Sequence, residues 1–212
     1  MDRTNLMPWI EAERLRLADF LDTLGDDDWS VQSLCGSWTV HDVAAHLTMV
    51  TRIEIPSLIV GAIKSRFNFN RMVDAGARDL ARKYTPAELI ARFRETAASP
   101  KRAPGSSPLD PLVDVLVHGQ DIAVPLGRPL PMPTEQALAA LGHASTAKFY
   151  GAQKRFAGLR LVASDADWTL GDGDEVRGPV SSLLLLSTGR PVGLENVDGP
   201  GVPTLTARVT RS

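Results

Sequence analysis

Asp114 and His118 stand four residues apart in the run L-V-D-V-L-V-H-G-Q-D. On a helix that spacing puts both side chains on one face, about one turn apart. A carboxylate and an imidazole so placed can ligate one divalent ion. A third polar side chain in apolar company is His46, between Val43 and Val50 in V-H-D-V-A-A-H-L-T-M-V. Two nitrogen ligands, one oxygen ligand and an open position describe a catalytic zinc site or a non-haem iron site equally well. The competing assignment is a salt-bridged Asp114–His118 pair, with His46 satisfied separately. On spacing alone that assignment is the commoner outcome, since Asp-x-x-x-His arises readily by chance and recurs here at Asp42 and His46. The apolar setting of Asp114 weighs towards metal, because two polar groups buried in a hydrophobic run need strong compensation. Asp121, one turn beyond His118, is a candidate acceptor for the free ring nitrogen of that histidine. His41 and His143 have polar surroundings and are expected at the surface.

The elements that must position these groups read mostly as helices. Leu6, Trp9, Ile10, Glu13, Leu17, Phe20, Leu21 and Leu24 follow 3–4 spacing, and Gly25 closes the pattern. Thr39 and Asp42 form a capping box for a second helix, which starts near Val40 and runs to Thr51–Arg52. Pro56 then kinks it or starts a new segment, with helix expected over Leu58–Lys83. Thr85-Pro86-Ala87-Glu88 caps a helix reaching about Ala98, and Asp110-Pro111 opens another over Leu112–Val124. That last helix is apolar nearly all round and therefore central. Ser99–Pro108 and the proline-rich Pro125–Pro133 are connectors. Thr134-Glu135-Gln136 caps a helix to about Tyr150. Beyond Phe156 the texture changes: strands are expected at Leu159–Ala163, Trp168–Leu170 and Val176–Gly178, a short apolar helix at Ser181–Ser187, and a last strand at Leu205–Val209. Helices first and mixed strands later imply an α+β chain, with a helical domain over residues 1–152 and a small α+β domain over 153–212.

Composition limits the function classes. The chain has 212 residues, 43% of them hydrophobic, and its 23 basic and 25 acidic side chains nearly cancel. No basic stripe interleaved with aromatics points to nucleic acid, and the short cluster Lys64, Arg66 and Arg71 reads as a solvated helix face. No leader segment and no apolar stretch of spanning length is present, so no membrane partner is expected and a cytoplasmic location is. The single cysteine, Cys35, excludes an intramolecular disulfide and fits a reducing compartment; with no His or Lys close to it in sequence, it reads as a packed structural thiol.

The block L-C-G-S-W-T-V-H-D-V-A-A-H-L, Leu34–Leu47, resembles the signature of the mycothiol-dependent maleylpyruvate isomerase family, within the wider DinB-like four-helix metalloproteins. The resemblance continues in V-D-V-L-V-H-G-Q-D-I-A-V-P-L-G, Val113–Gly127. It extends to D-W-T-L-G-D-G and V-R-G-P-V-S-S-L-L-L-L-S-T-G-R in the C-terminal part. It implies an N-terminal DinB-like four-helix bundle followed by a small α+β, sterol-carrier-like domain. By the same resemblance His46 and His118 match the family's two zinc histidines. Asp114 stands where the family has a glutamate, one methylene longer. Arg190 is then the catalytic candidate, a charge that fixes an anionic thiol cofactor or a substrate carboxylate, with a plain helix-end arginine as the alternative.

The resemblance implies a metal-dependent enzyme, with Zn2+ and the thiol cosubstrate mycothiol. It would isomerise, or transfer sulfur to, a small electrophilic substrate, as a monomer or homodimer. Two other readings stay open: a non-catalytic metal- or ligand-binding protein of the same fold, and an apolar-ligand carrier using Leu183–Leu186.

Overall fold

The computed structural model describes residues 6–52, 61, 63, 65–66 and 68–210. The chain divides into two compact units, Met1–Leu130 and Pro131–Ser212. Among the described residues no helix is long and apolar enough to cross a membrane.

The first unit contains α1 (Leu6–Leu21), α2 (Val40–Thr51), α3 (Phe69–Lys83), α4 (Pro86–Glu95) and α5 (Asp110–Ala123). Both α1 and α2 pack on α4 and on α5, which makes these four a bundle, and α3 lies against α2. The core is the expected apolar face of each: Ile10 and Leu17, Val43 and Leu47, Leu89 and Phe93, Leu112 and Leu116 are all buried. Removing such side chains from water contributes about 1.5–3 kcal/mol each, which offsets the entropy of ordering the chain. The start signals at Thr39 and Thr85 operate as read, whereas Thr134 is the first residue of its helix, behind Pro133 as N-cap and with no side-chain cap hydrogen bond. Thr39 Oγ1 accepts from Asp42 N at 3.2 Å while Asp42 Oδ2 accepts from Thr39 N at 3.0 Å, and Thr85 and Glu88 repeat the arrangement.

Two details differ from the sequence reading. Asp110 is the first residue of α5 rather than its cap, and its carboxylate reaches back to accept from Ser107 N at 2.7 Å. The helix expected over Leu58–Lys83 is described from Phe69, capped by Asn68; Pro56, Leu58 and Lys64 fall outside the described residues.

The second unit runs through α6 (Thr134–Thr146), a 3-10 turn at Lys148–Tyr150, the single turn α7 (Ala152–Arg155), β1 (Leu159–Ala163), β2 (Thr169–Leu170), β3 (Asp174–Gly178), α8 (Val180–Ser187) and α9 (Val202–Val209). The sheet order is β2-β1-β3. β2 is antiparallel to β1 (Leu161 opposite Leu170) and β3 parallel to it (Leu161 opposite Val176). The chain between β2 and β3 passes so close to β1 that a Cβ on Gly173 would lie 2.3 Å from Gly158 O. Its φ of +127° also requires glycine.

The expected last strand at Leu205–Val209 is helical. Leu205 and Val209 are the buried positions there, and four residues is a helical repeat, while Ala207 is exposed. The sequence reading drew the boundary after residue 152, whereas α6 clusters with the second unit. Its buried face of Ala137, Ala140, Leu141 and Ala144 belongs to a helix that packs on α8. The architecture as a whole is α+β, helical first and mixed later.

Candidate metal centre

Three side chains of the bundle converge. His46, on the buried face of α2, is 8% exposed; Asp114 and His118, one turn apart on α5, are half-buried beside it. His46 Nε2 lies 3.5 Å from Asp114 Oδ1, and His118 Nε2 lies 3.4 Å from the same oxygen. Together they form one group of mutually close ligand atoms.

The hydrogen bonding around His118 decides what faces Asp114. His118 Nδ1 is 2.8 Å from Asp121 Oδ2, and Asp121 is fully buried. An ionised carboxylate only accepts, so Nδ1 carries the proton and donates it. In the neutral imidazole Nε2 then presents a lone pair to another acceptor, Asp114 Oδ1. In that form a cation between the two would serve both acceptors, whereas a protonated ring would donate to the carboxylate. Contacts of 3.4 and 3.5 Å are also long for an N–H···O bond, which clusters at about 2.7–3.2 Å. They fit a tetrahedral ion instead. Bonds of about 2.0–2.2 Å meeting at the tetrahedral angle hold their donor atoms about 3.3–3.6 Å apart. The shorter arm of Asp114 therefore still spans the site. Burial pushes its carboxyl pKa up, but the hydrogen bond and charge of His46, then the charges of His118 and Arg14, outweigh this. The carboxyl stays below the usual range, in the ionised form a ligand must have.

His46 is held differently. Its Nδ1 is buried and has no hydrogen-bond partner among the described residues. Its ring instead lies against Trp38, with centroids 5.1 Å apart at 41°, and Trp38 also borders His118 at 6.5 Å. The indole is fixed from the far side, where Trp38 Nε1 donates to Asp74 Oδ1 at 2.7 Å. Asp74 in turn accepts from Arg78 Nε at 3.0 Å, and Arg78 returns to Ser37 O at 3.0 Å. The turn before α2 is thus tied to α3 through the residue that packs on the histidines.

Of the residues singled out from sequence, His46, Asp114, His118 and Asp121 come together. Arg190 lies in the second unit, half-buried at the end of α8, where its Nη1 donates to its own neighbour Thr188 O at 2.8 Å. His41 is half-buried, with Nε2 3.1 Å from Tyr84 O. Sequence reading missed Trp38, whose tryptophan–histidine contact joins positions eight apart in the chain. It also missed the surroundings of Cys35, whose Sγ forms a second ligand-like group with His118 and Asp121, all within 4.8 Å. Folding supplies the histidine that the local sequence around Cys35 lacks.

Residues 10–112 match the family model described as the mycothiol maleylpyruvate isomerase N-terminal domain. Among solved structures, the crystal structure of a mycothiol-dependent maleylpyruvate isomerase aligns at 16% identity with a TM-score of 0.58. A histidine-to-alanine mutant under the same name aligns at 15% with a TM-score of 0.59. Each alignment covers 94% of this chain and 93% of the other. At that identity the likeness is one of fold. No curated protein matches the chain. The family match includes His46 and stops two residues before Asp114.

Proposed function

We propose, for a chain whose residues 10–112 belong to the mycothiol maleylpyruvate isomerase N-terminal domain family, that it is a metal-dependent enzyme using mycothiol on a small electrophilic substrate. His46, Asp114 and His118 are its ligands. The observation that carries the proposal is the convergence of two imidazole nitrogens on one carboxylate oxygen, at 3.5 and 3.4 Å, inside a bundle otherwise packed with apolar side chains.

His46, Asp114 and His118 would hold a divalent cation such as zinc, which would supply the Lewis acidity that keeps a bound thiol as thiolate at neutral pH. The chain's own residues do the rest. Asp121 keeps the proton of His118 on Nδ1 and so keeps Nε2 free to bind. Trp38 covers the two imidazoles and keeps water from that side. The small thiol is the nucleophile, which agrees with Cys35 pointing its sulfur at Asp121 and His118 rather than joining the three-ligand group. Adding the thiolate to a conjugated double bond, rotating about the single bond so made, and expelling the thiolate isomerises the substrate and returns the thiol. Adding it with loss of a leaving group is S-transfer. Arg190 is proposed as the charge that fixes a carboxylate of the substrate or of the thiol.

The test is metal analysis of freshly purified protein followed by assay of maleylpyruvate isomerisation with and without mycothiol. Close to one divalent ion per chain and turnover that requires the thiol are expected. Metal without turnover would leave a binding protein of the same fold; absence of metal would overturn the site.

A further inference from the structure

A second set of donor atoms stands behind the α5 ligand. Among the described residues, Cys35, His118 and Asp121 each offer one ligand atom, and these atoms all lie within 4.8 Å of one another. The backbone holds the cysteine in place. Leu34 N donates to Asp121 O at 3.1 Å, and Trp38 N closes the following turn on Cys35 O at 3.0 Å. Cys35 N donates in turn to Ser33 Oγ at 3.1 Å. Cys35 and His118 are half-buried and Asp121 is wholly buried, so the thiol and the ring keep some contact with solvent.

This set differs in kind from the first. His46, Asp114 and His118 offer two nitrogens and an oxygen, whereas Cys35 brings a sulfur. A thiolate selects soft ions such as Cu+ or Cd2+, while imidazole with carboxylate suits harder ones. The two sets share one imidazole, which has a single lone pair when neutral. With an ion on the His46 side, Nε2 is the ligand and Nδ1 donates its proton to Asp121 Oδ2, 2.8 Å away. With an ion on the Cys35 side, Nδ1 becomes the ligand. The proton then stands on Nε2, which faces Asp114 Oδ1 at 3.4 Å. The two aspartates thus exchange the roles of ligand and hydrogen-bond acceptor.

We propose that Cys35, His118 and Asp121 form a second cation position, selective for a soft ion, whose occupation excludes the ion held by His46, Asp114 and His118. The exclusion rests on the metal reading above; the soft-ion position does not. Binding replaces the S–H bond of Cys35 by a sulfur–metal bond, and that proton leaves to solvent. The proton of His118 moves from Nδ1 to Nε2, and no oxidant or reductant takes part.

The test is a titration of Cd2+ into Co2+-loaded protein. The sulfur-to-metal charge-transfer absorption in the ultraviolet and the visible cobalt bands are followed together. In the parent protein the sulfur band should grow as the cobalt bands fall, both changes complete at a single Cd2+ per chain. Cys35→Ser should lose the sulfur band and still bind Co2+. Asp114→Asn should weaken Co2+ binding and keep the sulfur band, and His118→Ala should lose both. A sulfur band that grows with the cobalt bands intact would overturn the exclusion. A band unchanged in His118→Ala would report a lone thiol and overturn the site, as would cobalt displaced with no sulfur band. A parent protein that takes no Co2+ but gives a His118-dependent sulfur band would sink the metal reading and keep the soft-ion position. Co2+ bound with no sulfur band on adding Cd2+ would do the reverse. Should Cys35→Ser not fold, Cys35→Ala replaces it, and the parent and His118→Ala titrations decide the matter without either.

Discussion

The two sides of the centre are built on different physics. On the α5 side, His118 is oriented by a charge-assisted hydrogen bond to the wholly buried Asp121, which fixes its rotamer and its tautomer. On the α2 side, His46 has no acceptor for Nδ1 among the described residues, and its ring lies against Trp38. Packing sets the plane of a ring but leaves its proton free to choose a nitrogen. The family match likewise covers the α2 side and ends before Asp114. The difference teaches that a family-model match can reach one side of a candidate site and stop short of the other, where the local resemblance over Val113–Gly127 and the geometry carry the reading.

Substitutions at the ligands test the comparison at its strongest. His46→Ala and His118→Ala should each abolish metal binding, measured as metal per chain after dialysis. Full occupancy surviving in either would show that the two sides do not share one ion. Next in size, Asp121→Ala should cost about 10–100-fold in metal affinity, the usual effect of losing the acceptor behind a ligating histidine. If Asp121→Ala bound metal as tightly as the parent, the hydrogen bond on the α5 side would be structural only.

Trp38→Leu removes an aromatic contact worth about 0.5–1.5 kcal/mol, so metal affinity should fall by no more than about tenfold, with Trp38→Phe between it and the parent. A larger loss than that of Asp121→Ala would reverse the ranking of the two sides. The smallest effect is expected one residue further out. The hydrogen bond from Trp38, ahead of the opposing burial and the pairing with Arg78, holds the Asp74 carboxyl below the usual carboxylate range. Its contribution is therefore present above the ordinary carboxylate pKa and is lost as pH falls through the depressed value. The gap in Tm between the parent and Asp74→Ala should be widest near neutral pH and close in acid. A gap that stays constant with pH would remove the ion from the account of how Trp38 is held.

Local grammar was legible because its causes are local. The capping boxes at Thr39 and Thr85 join residues three apart, and the short, mostly apolar run of Leu159–Ala163 reads as a strand whatever it pairs with. Leu205–Val209 was misread for the same reason. Over five residues, apolar side chains at both ends satisfy a period of two and a spacing of four alike, and only burial separates them. The i,i+4 pair of Asp114 and His118 was visible on one helix, but its meaning was not, since a salt bridge and a ligand pair have the same spacing.

By itself the sequence determined the helical bundle, the mixed second part, and the polar residues stranded in apolar helices, because periodicity and capping act within a few residues of chain. Only the tertiary structure decided that Asp114 Oδ1 meets both His46 and His118, that Trp38 backs the histidines, and that Cys35 stands close to His118 and Asp121. Apart from the Asp114–His118 pair, those contacts join residues eight to 86 positions apart. Which of them form depends on how whole helix faces bury against one another, a quantity no short window of sequence contains.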